Sequence, residues 1–308
     1  MPTSATTLDR QQLLAALFVF VGAILHSSKA IFIKLAYQYG VDSVSLVALR
    51  MAFSLPFFLV AAYWSKRKDG AERIRLGRRL WLVLIGLGLT GYYLASLLDF
   101  WGLQYLPAGL ARLILFVYPT LVLLLSAWWL RRPITRLEAG AVLLTYVGIV
   151  LAFATAVDVE WSPSFWWGVV LSFGSALAYA VYLIGSGQYL PKLGTLRFTS
   201  FVMTVACVAI LLHHGLQYRW ALFHFPGPVY RLSLGMALFA TVIPSFMVGE
   251  GIRRIGAGQS AIISSFGPIS TILLAYVFLD EVFGMLQWLG ALLVIGGVLI
   301  ISLRKAGK

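Results

Sequence analysis

Long apolar stretches recur along the whole chain, and a short polar linker separates each from the next. A helix needs about 20 apolar residues to cross about 30 Å of hydrocarbon, so 308 residues have room for about ten crossings joined by short loops. Only 11% of the residues are charged and 60% are hydrophobic, whereas soluble domains carry about 25% charged residues. The sequence therefore predicts an all-α integral membrane protein.

Apolar runs bounded by charged residues, proline or glycine predict ten transmembrane helices. The first run lacks a small-residue cleavage site and is too long for a removable signal peptide, so we expect it to be retained. The predicted spans are 12–37, 43–65, 79–104, 107–130, 136–156, 164–187, 195–214, 229–252, 257–279 and 284–303.

Most of the 24 lysines and arginines fall in alternate loops or in the two tails. The positive-inside rule therefore predicts an inner-membrane protein with both termini in the cytoplasm. The net charge of +13 is explained by these loops, so no nucleic-acid partner is expected. The predicted cytoplasmic set is Arg10, Lys66, Arg67, Lys68, Arg73, Arg75, Arg78, Arg79, Arg131, Arg132, Arg136, Lys192, Arg197, Arg253, Arg254, Arg304, Lys305 and Lys308.

The two halves of the chain, 1–156 and 164–303, align when the sequence is shifted by 149 residues. In this alignment Gly109 meets Gly258, Pro119 meets Pro268 and Gly148 meets Gly297. Each half has five predicted spans, and an odd number places the halves in the membrane in opposite orientations. We therefore predict two inverted five-helix repeats within one membrane domain.

The closing segment FLDEVFGMLQWLGALLVIGGVLI, with Glu281 in its acidic linker, resembles the signature of the EamA-type drug/metabolite transporter superfamily. The segment YLPAGLARLILFVYPTLVLLLS is similar to that family's entry from the third helix into the fourth. The resemblance covers about the whole chain and implies ten helices and carrier-type transport. Because that family moves amino acids, drugs, nucleotide sugars and other metabolites, it leaves the substrate open. Arg132 stands where the linker glutamate of the first half is expected.

His26 and Lys29 lie three residues apart near the middle of the first span, on the face that also carries Gly22. A charge at this depth persists only when it is paired, hydrated in a cavity or close to an end of the span. We predict a binding role for Lys29 and a proton-coupling role for His26, since histidine titrates near neutral pH. The alternative for Lys29 is a pair with Asp99 that serves assembly alone.

Tyr92, Ser96 and Asp99 follow helical spacing in the third span and form a polar stripe, in which Tyr92 and Ser96 are candidate substrate contacts. Asp99 is a candidate proton acceptor or counter-ion and Arg112 a candidate substrate-binding residue, and an Asp99–Arg112 salt bridge is the structural alternative. Arg50 in the second span is equally compatible with substrate binding and with snorkelling, whereas snorkelling is favoured for Lys34. If Asp99 neutralises only part of this cationic set, the cavity suits a carboxylate, a phosphate or a similar anionic group.

The sixth span carries a stripe of serines and tyrosines at helical spacing, in which Tyr179 and Tyr182 are candidate substrate contacts. Helix packing explains such a stripe equally well, because serine favours close contact between helices. A similar stripe in the ninth span is better explained by packing. The members of the two stripes are Ser172, Ser175, Tyr179, Tyr182 and Ser186, and then Ser260, Ser264, Gly267 and Thr271.

Motifs for other chemistry are missing from the sequence. There is no phosphate-binding GxxxxGK[ST] loop for ATP-driven transport and no HExxH. His213, His214 and His224 lack acidic or cysteine neighbours, so a solvated loop explains them better than a metal site, and no cofactor is expected. The chain has one cysteine, Cys207, in an apolar stretch, where an inert thiol is the default.

The sequence thus favours a secondary carrier of a small polar metabolite or drug-like solute that works by alternating access. A membrane-embedded lipid-modifying enzyme is the main alternative, but it would place its polar residues at headgroup depth rather than in mid-span. A channel or a structural membrane protein would not need inverted halves. The direction of transport, the coupling ion and the choice between a monomer and a homodimer are left open.

Overall fold

The computed structural model describes residues 5–68, 77–129, 134–154, 162–219, 221–264 and 266–306, and the regular elements within these ranges are helical. The first half contains α1 (Ala5–Ser27), α2 (Lys29–Tyr37), α3 (Ser43–Lys68), α4 (Arg78–Gly88), α5 (Ala95–Tyr105), α6 (Ala108–Leu115), α7 (Tyr118–Trp129) and α8 (Arg136–Ala154). The second half contains α9 (Pro163–Leu193), α10 (Thr195–Tyr218), α11 (Gly227–Ala237), α12 (Ile243–Ser264), α13 (Gly267–Leu279) and α14 (Met285–Ala306).

Long apolar helices confirm the prediction of an all-α integral membrane protein. Seven helical stretches among the described residues are long and apolar enough to cross a bilayer, and α13 and part of α14 are shorter apolar helices. Large apolar side chains cover the outside, as shown by Trp128 at 77% exposure and Met285 at 90%. Such a surface is stable in lipid and would aggregate in water.

Several of the membrane helices are interrupted. Ser28 breaks the first span between α1 and α2, and its Oγ donates to the carbonyl oxygen of Leu25 at 2.6 Å, which competes with the helical hydrogen bonds. Phe116 and Val117 separate α6 from α7 just before Pro119. π-Helical turns join α4 to α5 at Leu89–Leu94 and α11 to α12 at Leu238–Val242. Breaks of these kinds often lie at functional sites.

Four described elements of the two halves begin at the same 149-residue spacing that aligns the sequence. The helices α4 and α11 begin at positions 78 and 227, and the two π-turns begin at 89 and 238. The spacing holds for α7 and α13, at 118 and 267, and for α8 and α14, at 136 and 285. For these elements, the alignment of the two halves extends to where the helices and the π-turns start.

One predicted loop is wrong. We expected a connection at 253–256, but α12 continues without a break to Ser264. The reason lies in one residue: Pro107 stands between α5 and α6, whereas the aligned position in the second half is Gly256, and a single glycine is tolerated inside a helix. The break comes instead before α13, where Pro268 occupies the first helical turn.

The two halves meet closely along α8 and α14. A Cβ added to Gly148 would lie 2.6 Å from the carbonyl oxygen of Gly290, and one added to Gly297 would lie 2.6 Å from that of Ala141. Positions 141 and 290 are themselves aligned, as are 148 and 297, so the contact is reciprocal. Small residues at these positions let the two backbones approach each other directly.

Candidate functional site

A cluster of charged side chains lies inside the helical bundle. Nζ of Lys29, at the start of α2, is 2.7 Å from Oδ2 of Asp99 on α5. Nη2 of Arg112, on α6, is 3.6 Å from the same carboxylate oxygen. The residues are buried, with exposed fractions of 7% for Lys29, 1% for Asp99 and 6% for Arg112. The Lys29–Asp99 and Asp99–Arg112 pairs, which the sequence left as structural alternatives, are therefore both present and share one carboxylate.

Arg50 extends this cluster from α3. Its Nη2 donates to Oγ of Ser96 at 3.0 Å, and its guanidinium carbon lies 4.9 Å from the centroid of the Phe100 ring. Arg50 is 3% exposed, and its Nε has no hydrogen-bond partner. Among the residues that the structure describes, no carboxylate forms an ion pair with Arg50. Arg50 is thus deeply buried and does not snorkel to an end of its span.

His26 stands apart from the other charged or titratable residues of the cluster because its side chain is exposed. It nevertheless lies close enough to interact electrostatically with Lys29, Arg112, Arg50 and Asp99. The imidazole therefore lies at the edge of the buried cluster, outside the packed core. The ring is therefore accessible to water or to a ligand next to the charges.

Four tyrosine rings contact one another in a row, and one of them, Tyr92, lies near Arg50. Tyr92 meets Tyr182 edge to face at a centroid distance of 5.1 Å, Tyr182 stacks on Tyr179 at 5.6 Å, and Tyr179 meets Tyr118 edge to face at 5.1 Å. Tyr92 interacts electrostatically with Arg50, which links the aromatic group to the charged cluster. Aromatic pairs in this geometry are favourable and form a surface with polar hydroxyl groups.

The structure thus brings the predicted binding and coupling residues into one region. Tyr118 joins the same group but was not predicted from the sequence, although it directly precedes Pro119. Phe100, whose ring lies under Arg50, was also missed, because a phenylalanine in an apolar span carries no distinguishing signal.

The serines of the α9 stripe pack between helices and do not line the tyrosine group. Ser175 Oγ donates to the carbonyl oxygen of Ala95 at 2.7 Å, and Ser172 packs so closely on Gly102 that an added Cβ there would lie 2.5 Å from its Oγ. Ser186 bonds within its own helix. The packing alternative therefore holds for the serines of this stripe.

The stripe predicted in the ninth span is divided between two helices, with Ser260 and Ser264 on α12 and Gly267 and Thr271 on α13. Ser27 Oγ donates to the carbonyl oxygen of Gly267 at 2.9 Å, and Thr271 Oγ1 lies 3.4 Å from the carbonyl oxygen of Ser27. The side chain of Ser260 lies outside the described residues. Helix packing therefore explains the part of the stripe on α13.

The histidines near the end of α10 contact side chains that lie outside this helix. His213 Nδ1 lies 2.9 Å from the hydroxyl of Tyr93, and His214 Nε2 lies 3.1 Å from Oγ of Ser45. In the described ranges, no three His, Cys, Asp or Glu side chains are grouped as metal ligands would be. The three histidines therefore do not meet as the metal-site hypothesis requires.

A family model described as the EamA-like transporter family matches two segments of the chain, residues 13–154 and 166–303. The chain belongs to the EamA-like transporter family. This confirms the resemblance seen in the sequence, and because the same model matches each half, it agrees with an internal repeat. As a member of this family, the chain is a multi-pass membrane protein of the transporter class.

Relatives of this family member are named as transporters. It is 31% identical over 298 residues to the uncharacterized transporter YcbK of Bacillus subtilis, covering 95% of this chain and 92% of that protein. It is 23% identical over 293 residues to the uncharacterized inner membrane transporter YicL of Salmonella typhimurium, covering 92% and 94%. A probable terminal-alkyne amino-acid exporter of Streptantibioticus cattleyicolor is 26% identical over 272 residues, covering 88% and 86%.

One solved crystal structure has the same fold. It superposes with a TM-score of 0.62 at 19% sequence identity, covering 96% of this chain and 99% of that chain. At this identity the likeness concerns the fold alone.

Proposed function

We propose that this EamA-family member is a secondary carrier, independent of ATP, for a small polar solute that bears an anionic group. The observation that carries the proposal is the charge balance of the cluster, in which Lys29, Arg50 and Arg112 are buried around one carboxylate, Asp99. Buried cations without counter-ions are costly, so a bound anion would stabilise the site. An anionic substrate supplies the missing charge.

The roles of the individual residues follow from their surroundings. Arg50 and Arg112 each retain guanidinium nitrogens without hydrogen-bond partners, and a guanidinium binds carboxylate or phosphate through two parallel hydrogen bonds. Lys29 holds Asp99 and adds positive charge to the site. Ser96 and the tyrosine group, composed of Tyr92, Tyr118, Tyr179 and Tyr182, contact the remainder of the solute. The Streptantibioticus cattleyicolor relative is named for amino acids, whose carboxylate would suit such a site.

Alternating access is supported by the internal symmetry of the chain. Four described elements of each half begin at 149-residue spacing, and the glycine contacts between α8 and α14 are reciprocal. We propose ten transmembrane helices arranged as two inverted five-helix repeats, with both termini in the cytoplasm. Rocking one half against the other would expose the cluster to each side in turn.

His26 is proposed to carry a coupling proton, with Asp99 as the alternative. His26 is exposed at the edge of the cluster, so it can exchange protons with water. His26→Gln should therefore abolish the dependence of uptake on a pH gradient in proteoliposomes while leaving exchange of labelled solute intact. Unchanged coupling in this variant would remove His26 from the mechanism.

Thermal unfolding of the purified protein in detergent tests the substrate class. We expect anionic or zwitterionic metabolites to raise the melting temperature, because a ligand at a hundred times its dissociation constant adds about 2.7 kcal/mol. Stabilisation by cations or neutral amphiphiles alone would contradict the proposal and would leave the basic residues as structural pairs.

Transport assays with the compounds that stabilise the protein complete the test. Counterflow of labelled solute in proteoliposomes separates a carrier from a channel. Turnover of lipid in detergent without any gradient would instead indicate the lipid-modifying enzyme.

A further inference from the structure

The carboxylate of Glu281 joins the two halves of the chain at one end of the bundle. Its Oε1 accepts a hydrogen bond from the backbone N–H of Ala108 at 2.8 Å, and its Oε2 accepts one from Gly109 at 3.2 Å. These are the first two residues of α6, whose N–H groups have no partner within the helix. The negative charge also interacts favourably with the N-terminal end of the helix dipole.

The linker between α13 and α14 is built to hold Glu281 in this place. Asp280 adopts a left-handed conformation with φ of 54°, which ends α13 and turns the chain toward α6. The N–H of Glu281 donates back to the carbonyl oxygen of Ala275 at 3.3 Å. The ring of Phe283 lies so close to Gly109 that an added Cβ would overlap it. Only a residue without a side chain at position 109 allows this contact.

We propose that Glu281 is a latch that holds the two halves together at this end of the bundle and positions α6 for anion binding. Ala108 lies one helical turn before Arg112, so the carboxylate holds the short helix that carries this arginine. For the bundle to open at the Glu281 end, the linker must move away from α6 and both hydrogen bonds must break. The latch rests on the proposed carrier function, because it links closure of this end to the position of Arg112, a residue proposed to bind the solute.

The aligned position in the first half carries Arg132 instead of a glutamate, and a guanidinium cannot accept a hydrogen bond from a helix N-terminus. Two halves with matched helices thus differ in chemistry at equivalent linkers. Loss of the latch should therefore shift the carrier toward opening at the Glu281 end rather than loosen both ends equally.

Cysteine labelling tests the latch without any substrate. Cys207 is the single native cysteine and is buried, so a Cys207→Ser background with His26→Cys as the exposed reporter gives one labelling site. The protein is reconstituted, and a membrane-impermeant maleimide is added to one side at a time. We expect Glu281→Ala to raise labelling from the Glu281 side about tenfold or more, as loss of charged hydrogen bonds implies, and to lower labelling from the opposite side.

Two further variants complete the experiment. Asp280→Asn removes a neighbouring charge, but asparagine tolerates the left-handed conformation, so its labelling should match the parent. Glu281→Gln keeps an oxygen acceptor, so its labelling from the Glu281 side should lie between that of the parent and that of Glu281→Ala. If the alanine variant does not fold, Glu281→Gln is compared with the parent instead. Equal labelling of the Glu281 variants and Asp280→Asn, or a rise from both sides, would overturn the latch. Counterflow of labelled solute by the unmodified protein tests the carrier function independently of the latch.

Discussion

Asp99→Asn is expected to lower the free energy of unfolding by about 3–5 kcal/mol, because it removes the one carboxylate shared by two buried cations. Lys29 lies 2.7 Å and Arg112 lies 3.6 Å from Asp99, so both would lose their counter-ion at once. The change is measured by thermal or denaturant unfolding in detergent. Asparagine keeps the size of the side chain, so the loss reports charge rather than packing.

A double variant separates structure from function at this pair. Lys29→Met combined with Asp99→Leu removes one charge of each sign and leaves the net charge of the cluster as it was. Replacing a buried pair by apolar residues is often neutral or stabilising, so we expect the double variant to recover most of the stability that the Asp99 change alone removes. An equal loss in Asp99→Asn and in the double variant would mean that Asp99 does not act through Lys29.

Arg50→Leu is expected to weaken the binding of an anionic ligand about 10- to 100-fold without lowering the stability of the free protein. A hydrogen bond to a charged group contributes about 1.5–3 kcal/mol, and the substitution removes a guanidinium that has no carboxylate among the described residues. Removing a buried, uncompensated charge does not destabilise a fold. Ligand titration followed by the shift in melting temperature measures both quantities on one sample.

Arg50→Lys is the matched control for this effect. Lysine keeps the positive charge but cannot present two parallel donors, so its affinity should lie between those of the parent and Arg50→Leu. Ser96, which accepts from Nη2 of Arg50 at 3.0 Å, would lose that contact in the leucine variant. Anion affinity equal to that of the parent in both variants would assign Arg50 to the structure and move the binding site toward Arg112.

The sequence was sufficient to predict an all-helical membrane protein and the charged residues inside it, because both depend on the cost of polar groups in lipid. Lys29, Arg50, Asp99 and Arg112 stand out in apolar spans, and the structure brings them together. Helical spacing alone did not separate the serines of α9, which pack on α5, from its tyrosines, which contact other rings. The two classes share one face of the helix but meet different neighbours along its length.

Other features depended on contacts that a sequence does not reveal. The continuous α12 followed from Gly256 at the place where the first half has Pro107, and the predicted loop there was wrong. The hydrogen bonds of Glu281 were missed because the N–H groups that it binds lie 173 and 172 positions earlier in the chain. Tyr118 was missed because its partners lie on another helix.

The π-helical turn at Leu89–Leu94 directly precedes α5 in the same span. One extra residue in a regular α-helix rotates all that follows by about 100°, but a π-turn accommodates about one residue more than an α-turn. The wider turn absorbs that residue, so Ser96 and Asp99 keep the register in which they face Arg50 and Lys29. Inserting one residue after the turn, in the regular helix before Asp99, would instead swing the Asp99 carboxylate about a quarter of a circle away from Lys29, although every residue of the cluster would still be present. The span therefore tolerates a change of length within this turn far better than beyond it.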